Sequence, residues 1–138
     1  MGQELFRSSV RVHLDRMAQA MRVLHKALID LTQHDYERTH GRVESPYALL
    51  ALVSRHPSFA WLQPMTRLIV DIEDLAARPL PPPVKPDVEE TRKRIDRLLI
   101  SSGEAFSTKY LALLQSSPEI AAEHGRLQGV LNDIAAHP

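Results

Sequence analysis

Residues 10–31, VRVHLDRMAQAMRVLHKALIDL, set the architecture. Val10, Leu14, Met17, Met21, Leu24, Leu28 and Leu31 recur at alternating spacings of four and three, so one apolar seam runs along a helix for three heptads. The pattern extends to a helix from about Gln3 to His40. Gly41 ends it, because a residue without Cβ accepts the left-handed backbone of a helix stop.

Outward from this seam, Ser45-Pro46 pairs a capping side chain with the imino acid that suits a first helical position. The second helix starting there is interrupted at His56-Pro57-Ser58, since proline disfavours a helical residue before it. Ser58 is expected to cap a continuation carrying Trp61, Met65, Leu68, Ile72 and Leu75, and Pro64 to kink it. Arg78–Pro86, RPLPPPVKP, reads as a polyproline II linker rising about 3.1 Å per residue. Asp87 with Glu90 forms the pattern of a capping box opening a third helix to about Gln115, striped by Val88, Ile95, Leu98, Leu99, Phe106, Tyr110, Leu113 and Leu114. Ser117-Pro118-Glu119 starts a fourth, with Ile120, Leu127, Leu131 and Ile134 on one face. Strand signals are absent. The expected fold is all-α: an antiparallel four-helix bundle in one domain over 1–138, made of hairpin 3–77, linker 78–86 and hairpin 87–136.

Composition narrows the chemistry. With 43% hydrophobic and 25% charged residues among 138, the chain suits a single globular domain. Seventeen basic residues balance seventeen acidic ones, so no net field draws it to nucleic acid or to an anionic membrane. The absence of cysteine excludes disulfides, thiolate catalysis and Cys-type zinc sites. No apolar run reaches the 18 or so residues of a membrane span, and residues 1–10 lack the hydrophobic region of a signal peptide, which makes a cytoplasmic protein the expectation.

Four features could carry chemistry. Glu37 and His40 stand three apart on one helix face, half of the Glu-x-x-His signature of a carboxylate-bridged di-metal bundle. No second copy exists, and in a hairpin Asp71, Glu73 and Asp74 fall near His13 and Asp15, about 37 Å of helix from His40, so no metal site is expected. His124 lies on the inner stripe of the fourth helix, a position suited to a hydrogen-bonded structural histidine. Arg92-Lys93-Arg94 and Arg97 are interleaved with Glu89, Glu90 and Asp96; Glu89–Lys93 and Glu90–Arg94 pairing makes this a salt-bridged face rather than a nucleic-acid stripe. Trp61 with Phe59, Leu62 and Met65 is a core anchor or, alternatively, the lining of a small-molecule pocket. No nucleophile elbow or glycine-rich phosphate loop occurs, and the linker lacks the proline spacing of an SH3 ligand.

Residues 36–41, YERTHG, and 56–64, HPSFAWLQP, together with Leu68–Ile72 and Phe106–Pro118, resemble segments of a group of small uncharacterised bacterial helical proteins. The resemblance implies a bacterial source and a compact helical fold. It brings no activity, cofactor or catalytic residue.

The resulting expectation is a non-enzymatic helical bundle acting by self-association or by binding a protein, with no catalytic, cofactor or metal residues. The alternative is a ligand- or metal-binding bundle centred on the Trp61 cluster or on Glu37 and His40. Unequal helix lengths suggest where copies meet: at 1.5 Å per residue the third helix is about 43 Å long and the fourth about 28 Å, leaving Val88 and Ile95 to be covered by a second chain in a homodimer.

Overall fold

The computed structural model describes residues 2–137, with side chains from Ser9 onward; Met1 and Pro138 of the expected 1–138 domain lie outside the described residues. The described chain is all-helical, and no helix in it is long and apolar enough to cross a membrane. Six α-helices are present rather than four: α1 (Gly2–His40), α2 (Pro46–Arg55), α3 (Gln63–Ala77), α4 (Lys85–Asp96), α5 (Ala105–Ser116) and α6 (Pro118–Ala136). A 3-10 turn, Pro57–Leu62, precedes α3, and a π turn, Arg97–Ser101, follows α4.

The seam of α1 is the centre of the core. Val10, Leu14, Met17, Met21, Leu24 and Leu28 are all buried, and α1 packs on α3, α4 and α6. At its C-terminal end the seam drifts: Thr32 is buried, its hydroxyl bonded to the Leu28 carbonyl at 2.8 Å, while Leu31 is only partly covered. A straight helix turns away from a strict seven-residue repeat, which accounts for the exchange. Contacts that rise along α1 fall along α3. Arg11 donates to the carbonyls of Ala76 and Arg78, Arg22 pairs with Glu73 at 2.8 Å, and His25 Nε2 lies 3.0 Å from the Thr66 hydroxyl.

Several start and stop signals act as the sequence implies. Gly41 adopts φ +85° after α1, Ser45 caps α2 by accepting from Ala48 N–H at 3.1 Å, and Ser117 caps α6 by accepting from Ile120 N–H at 3.2 Å. Other expectations are corrected. His56, not Ser58, is the cap before the 3-10 turn: its Nδ1 accepts from Ser58 N–H at 3.1 Å. Because that turn delays α3 until Gln63, Pro64 falls in the first helical turn, where its missing donor leaves no bond unmade, and it interrupts nothing. Asp87 does not begin a helix; α4 starts at Lys85, and the Asp87 carboxylate accepts from Val84 N–H at 2.8 Å, so the extended linker ends at Val84 instead of Pro86.

The expected third helix over 87–115 is divided. Gly103, at φ +68°, breaks it between the π turn and α5, and the chain changes direction. The break removes the length mismatch behind the proposed cover of Val88 and Ile95. Val88 is 6% exposed and Ile95 fully buried within one chain. Val10, Val88 and Ile134 line the same small cavity, so the end of α6 reaches the start of α4. Their burial is thus complete within one chain and needs no second copy.

Candidate functional site

The Glu37–His40 pair does not present itself to a metal. The Glu37 carboxylate accepts from Val43 N–H at 2.8 Å and holds the loop that leaves α1. His40 folds back on its own helix, Nδ1 lying 3.2 Å from the Tyr36 carbonyl and its ring stacked on Tyr36 at 4.3 Å. Among the described residues no group of three His, Asp or Glu side chains converges to hold an ion. Asp71 and Glu73 are engaged elsewhere, with Arg94 at 2.9 Å and Arg22 at 2.8 Å.

The Trp61 cluster is divided between the core and the surface. Phe59, Leu62 and Met65 are buried, while Trp61 is only partly covered and borders a cleft of about 220 Å³ together with Tyr36, Thr39, Ser58 and Lys109. The Trp61 ring lies 5.3 Å from Phe106, which lies 5.9 Å from Tyr110, and Lys109 Nζ sits 4.7 Å above the indole. The column ends at His124, whose Nδ1 is 2.7 Å from the Tyr110 hydroxyl. Burial lowers the His124 pKa, the Asp96 charge opposing it.

The basic run is an ion-paired face with partners other than those its spacing suggests. Arg92 pairs with Glu89, Arg94 reaches across to Asp71, and Arg97 lies 3.9 Å from Glu90. Pairs so exposed contribute little stability, but their charges are occupied.

The feature that sequence reasoning missed is α2. Its residues, PYALLALVSR, include only two polar side chains, yet none of the ten is buried. A helix apolar all round is normally enclosed by the fold. Here Leu49, Leu52 and Val53 pack partly on the core, while Tyr47 and Leu50 are 85% and 63% exposed. Between α2, the loop 41–45 and the last turn of α1 lies an open cleft of about 600 Å³. Val43, Ala48, Ala51, Leu52 and Pro57 line it, with His40, Arg42, Glu44, Arg55 and His56 around them. At the end formed by α1, Tyr36 meets His56 edge-on at 5.0 Å, and the His40 and His56 imidazoles are 5.6 Å apart.

The chemistry of this end is positional. With Nδ1 accepting from Ser58 N–H, neutral His56 carries its proton on Nε2. With Nδ1 facing a carbonyl, neutral His40 carries its proton on Nδ1. Both rings are thus fixed by backbone groups, and neither is hydrogen-bonded to a hydroxyl or carboxylate that would make it a catalytic base. No known family model, curated protein or solved structure matches the chain.

Proposed function

We propose that the protein is a non-enzymatic interaction module that uses the outer face of α2 and the adjoining cleft to bind another protein surface. The observation that carries this reading is the exposure of Tyr47 and Leu50 on a helix of which no residue is buried. Holding two large apolar side chains in water forgoes about 1.5–3 kcal/mol of burial for each, a loss recovered when a partner covers them. The fully buried core residues all come from the other elements, and α2 adds only the partly covered Leu49, Leu52 and Val53. In the four-helix arrangement expected from the periodicity, α2 is the first part of the second helix of hairpin 3–77, set apart from α3 by the 3-10 turn. The interaction reading keeps the self-association expected from the sequence and moves it from Val88 and Ile95 to α2.

A photo-activatable cross-linking residue placed at Leu50 in cells expressing the protein tests this. Protein adducts are expected from position 50 and not from the ion-paired Arg92. Equal yields from both positions, or none from 50, would refute it.

A second reading has support from Arg42 and Arg55. Neither is ion-paired among the described residues, and both border the apolar cleft, an arrangement suited to a small ligand with an apolar body and a carboxylate. It leaves Tyr47 and Leu50 unexplained and ranks second for that reason.

A further inference from the structure

The outer face of α2 carries its own complement. Tyr47, Leu50 and Ala51 lie on the side of the helix turned away from Leu49 and Val53, which meet the core. Glu44 immediately precedes the Ser45 cap, and Arg55 is the last residue of the helix. Both are exposed, and neither enters an ion pair among the described residues. An acidic residue ahead of the helix, a basic one at its end and an apolar surface between them form a pattern that matches itself when reversed.

We infer that this face receives α2 of a second copy of the chain, antiparallel, about a two-fold axis beside Leu50. The inference rests on the reading of α2 as an interaction face and names its partner. Glu44 lies as far ahead of the Leu49–Leu50 peptide as Arg55 lies beyond it. An axis there sets each Glu44 opposite the partner's Arg55 and brings the two Leu50 side chains together. Ala48 and Ala51 are small enough to let the helices approach closely, and each Tyr47 is covered by the partner's helix. A parallel pair would oppose Arg55 to Arg55 and Glu44 to Glu44. A small anionic ligand could fill the cleft but would leave Tyr47 and Leu50 in water. A second copy covers the apolar face and pairs both charges, and a two-fold interface of this kind closes on itself. With ten residues, α2 is only about 15 Å long, so the dimer is small and depends on concentration.

Light scattering or sedimentation of the purified chain tests this from about 1 to about 200 µM. The expected mass rises from 15.6 kDa toward twice that value. Leu50→Asp should hold the chain at monomer mass with helix content unchanged. Glu44→Arg and Arg55→Glu should each weaken dimerisation about 10-fold at low salt, and the double exchange should return it to within about threefold of wild type. A monomer throughout the range, a dimer indifferent to Leu50→Asp, or a double exchange no better than the single ones would overturn the inference. Adducts from position 50 to a different protein, with the purified chain monomeric, would exclude a second copy while sustaining the interaction reading.

Discussion

The Tyr110 hydroxyl and Nδ1 of His124 are hydrogen-bonded across 2.7 Å, joining α5 to α6 at the inner end of the aromatic column. With the hydroxyl donating, the imidazole is neutral and carries its proton on Nε2. Burial favours this state from both sides, raising the Tyr110 pKa above its ordinary value and lowering that of His124. His25, whose Nε2 meets Thr66 between α1 and α3, is lowered by burial as well.

These shifts fix the pH dependence of stability. Two histidines with depressed folded pKa values bind protons more readily in the unfolded chain, so their contribution is complete above the ordinary value of 6.5 and is lost as pH falls through the folded values. Tyr110 acts oppositely: its contribution is present below the ordinary phenol value of 10.0 and is lost in stronger alkali. Urea unfolding should show lower stability at about pH 5.5 than at about pH 7.5, and His124 should titrate below a free histidine by NMR. Equal stability at both pH values would contradict this.

Core and surface substitutions should separate sharply. Leu24→Asp buries an unpaired charge in the seam of α1, and Ile95→Lys does the same under α4. Each should cost several kcal/mol, on the order of 3–5, and unfold the chain rather than dissociate a dimer. Arg92→Ala should change stability by less than about 0.5 kcal/mol in chemical denaturation, since its pair with Glu89 is exposed.

Glycine positions should respond with opposite signs. Gly103→Ala introduces a side chain at φ +68° and should destabilise by about 1 kcal/mol, although space for the methyl group is open. Gly125→Ala and Gly129→Ala lie inside α6 with nothing within 4 Å of the new carbon, and each should stabilise by roughly 0.5–1 kcal/mol. Thermal unfolding of the three variants distinguishes these directions.

Glu37 should behave as a loop clasp. Glu37→Ala removes the acceptor for Val43 N–H, so amide exchange at Val43 should accelerate, with a stability loss of about 1 kcal/mol. Zinc or manganese should leave the unfolding temperature of the wild type unchanged. A metal-dependent rise abolished by His40→Ala would contradict the assignment.

The seam of α1 and the signals at Gly41, Ser45 and Ser117 were legible because each depends on local periodicity or a single backbone requirement. The break at Gly103 was not: Leu99 and Phe106 keep a seven-residue spacing across it, so the apolar stripe continues in phase while the backbone turns. Pro64 was misplaced because a 3-10 turn looks like the first turn of an α-helix until its end is known. The α2 face was the least readable. Its apolar composition implies burial, and only the packing of the other helices shows that, among the described residues, no element covers Tyr47 and Leu50.

The most direct measurement is the unfolding free energy of Tyr47→Ser/Leu50→Asp, taken where the wild type is dilute and paired with the association assay on the same sample. If α2 serves association, stability should stay within about 1 kcal/mol of wild type, while dimerisation and cross-linking at this face disappear. A loss of about 3 kcal/mol or more, comparable to that of Leu24→Asp, would show that the fold itself depends on this face and would contradict the account.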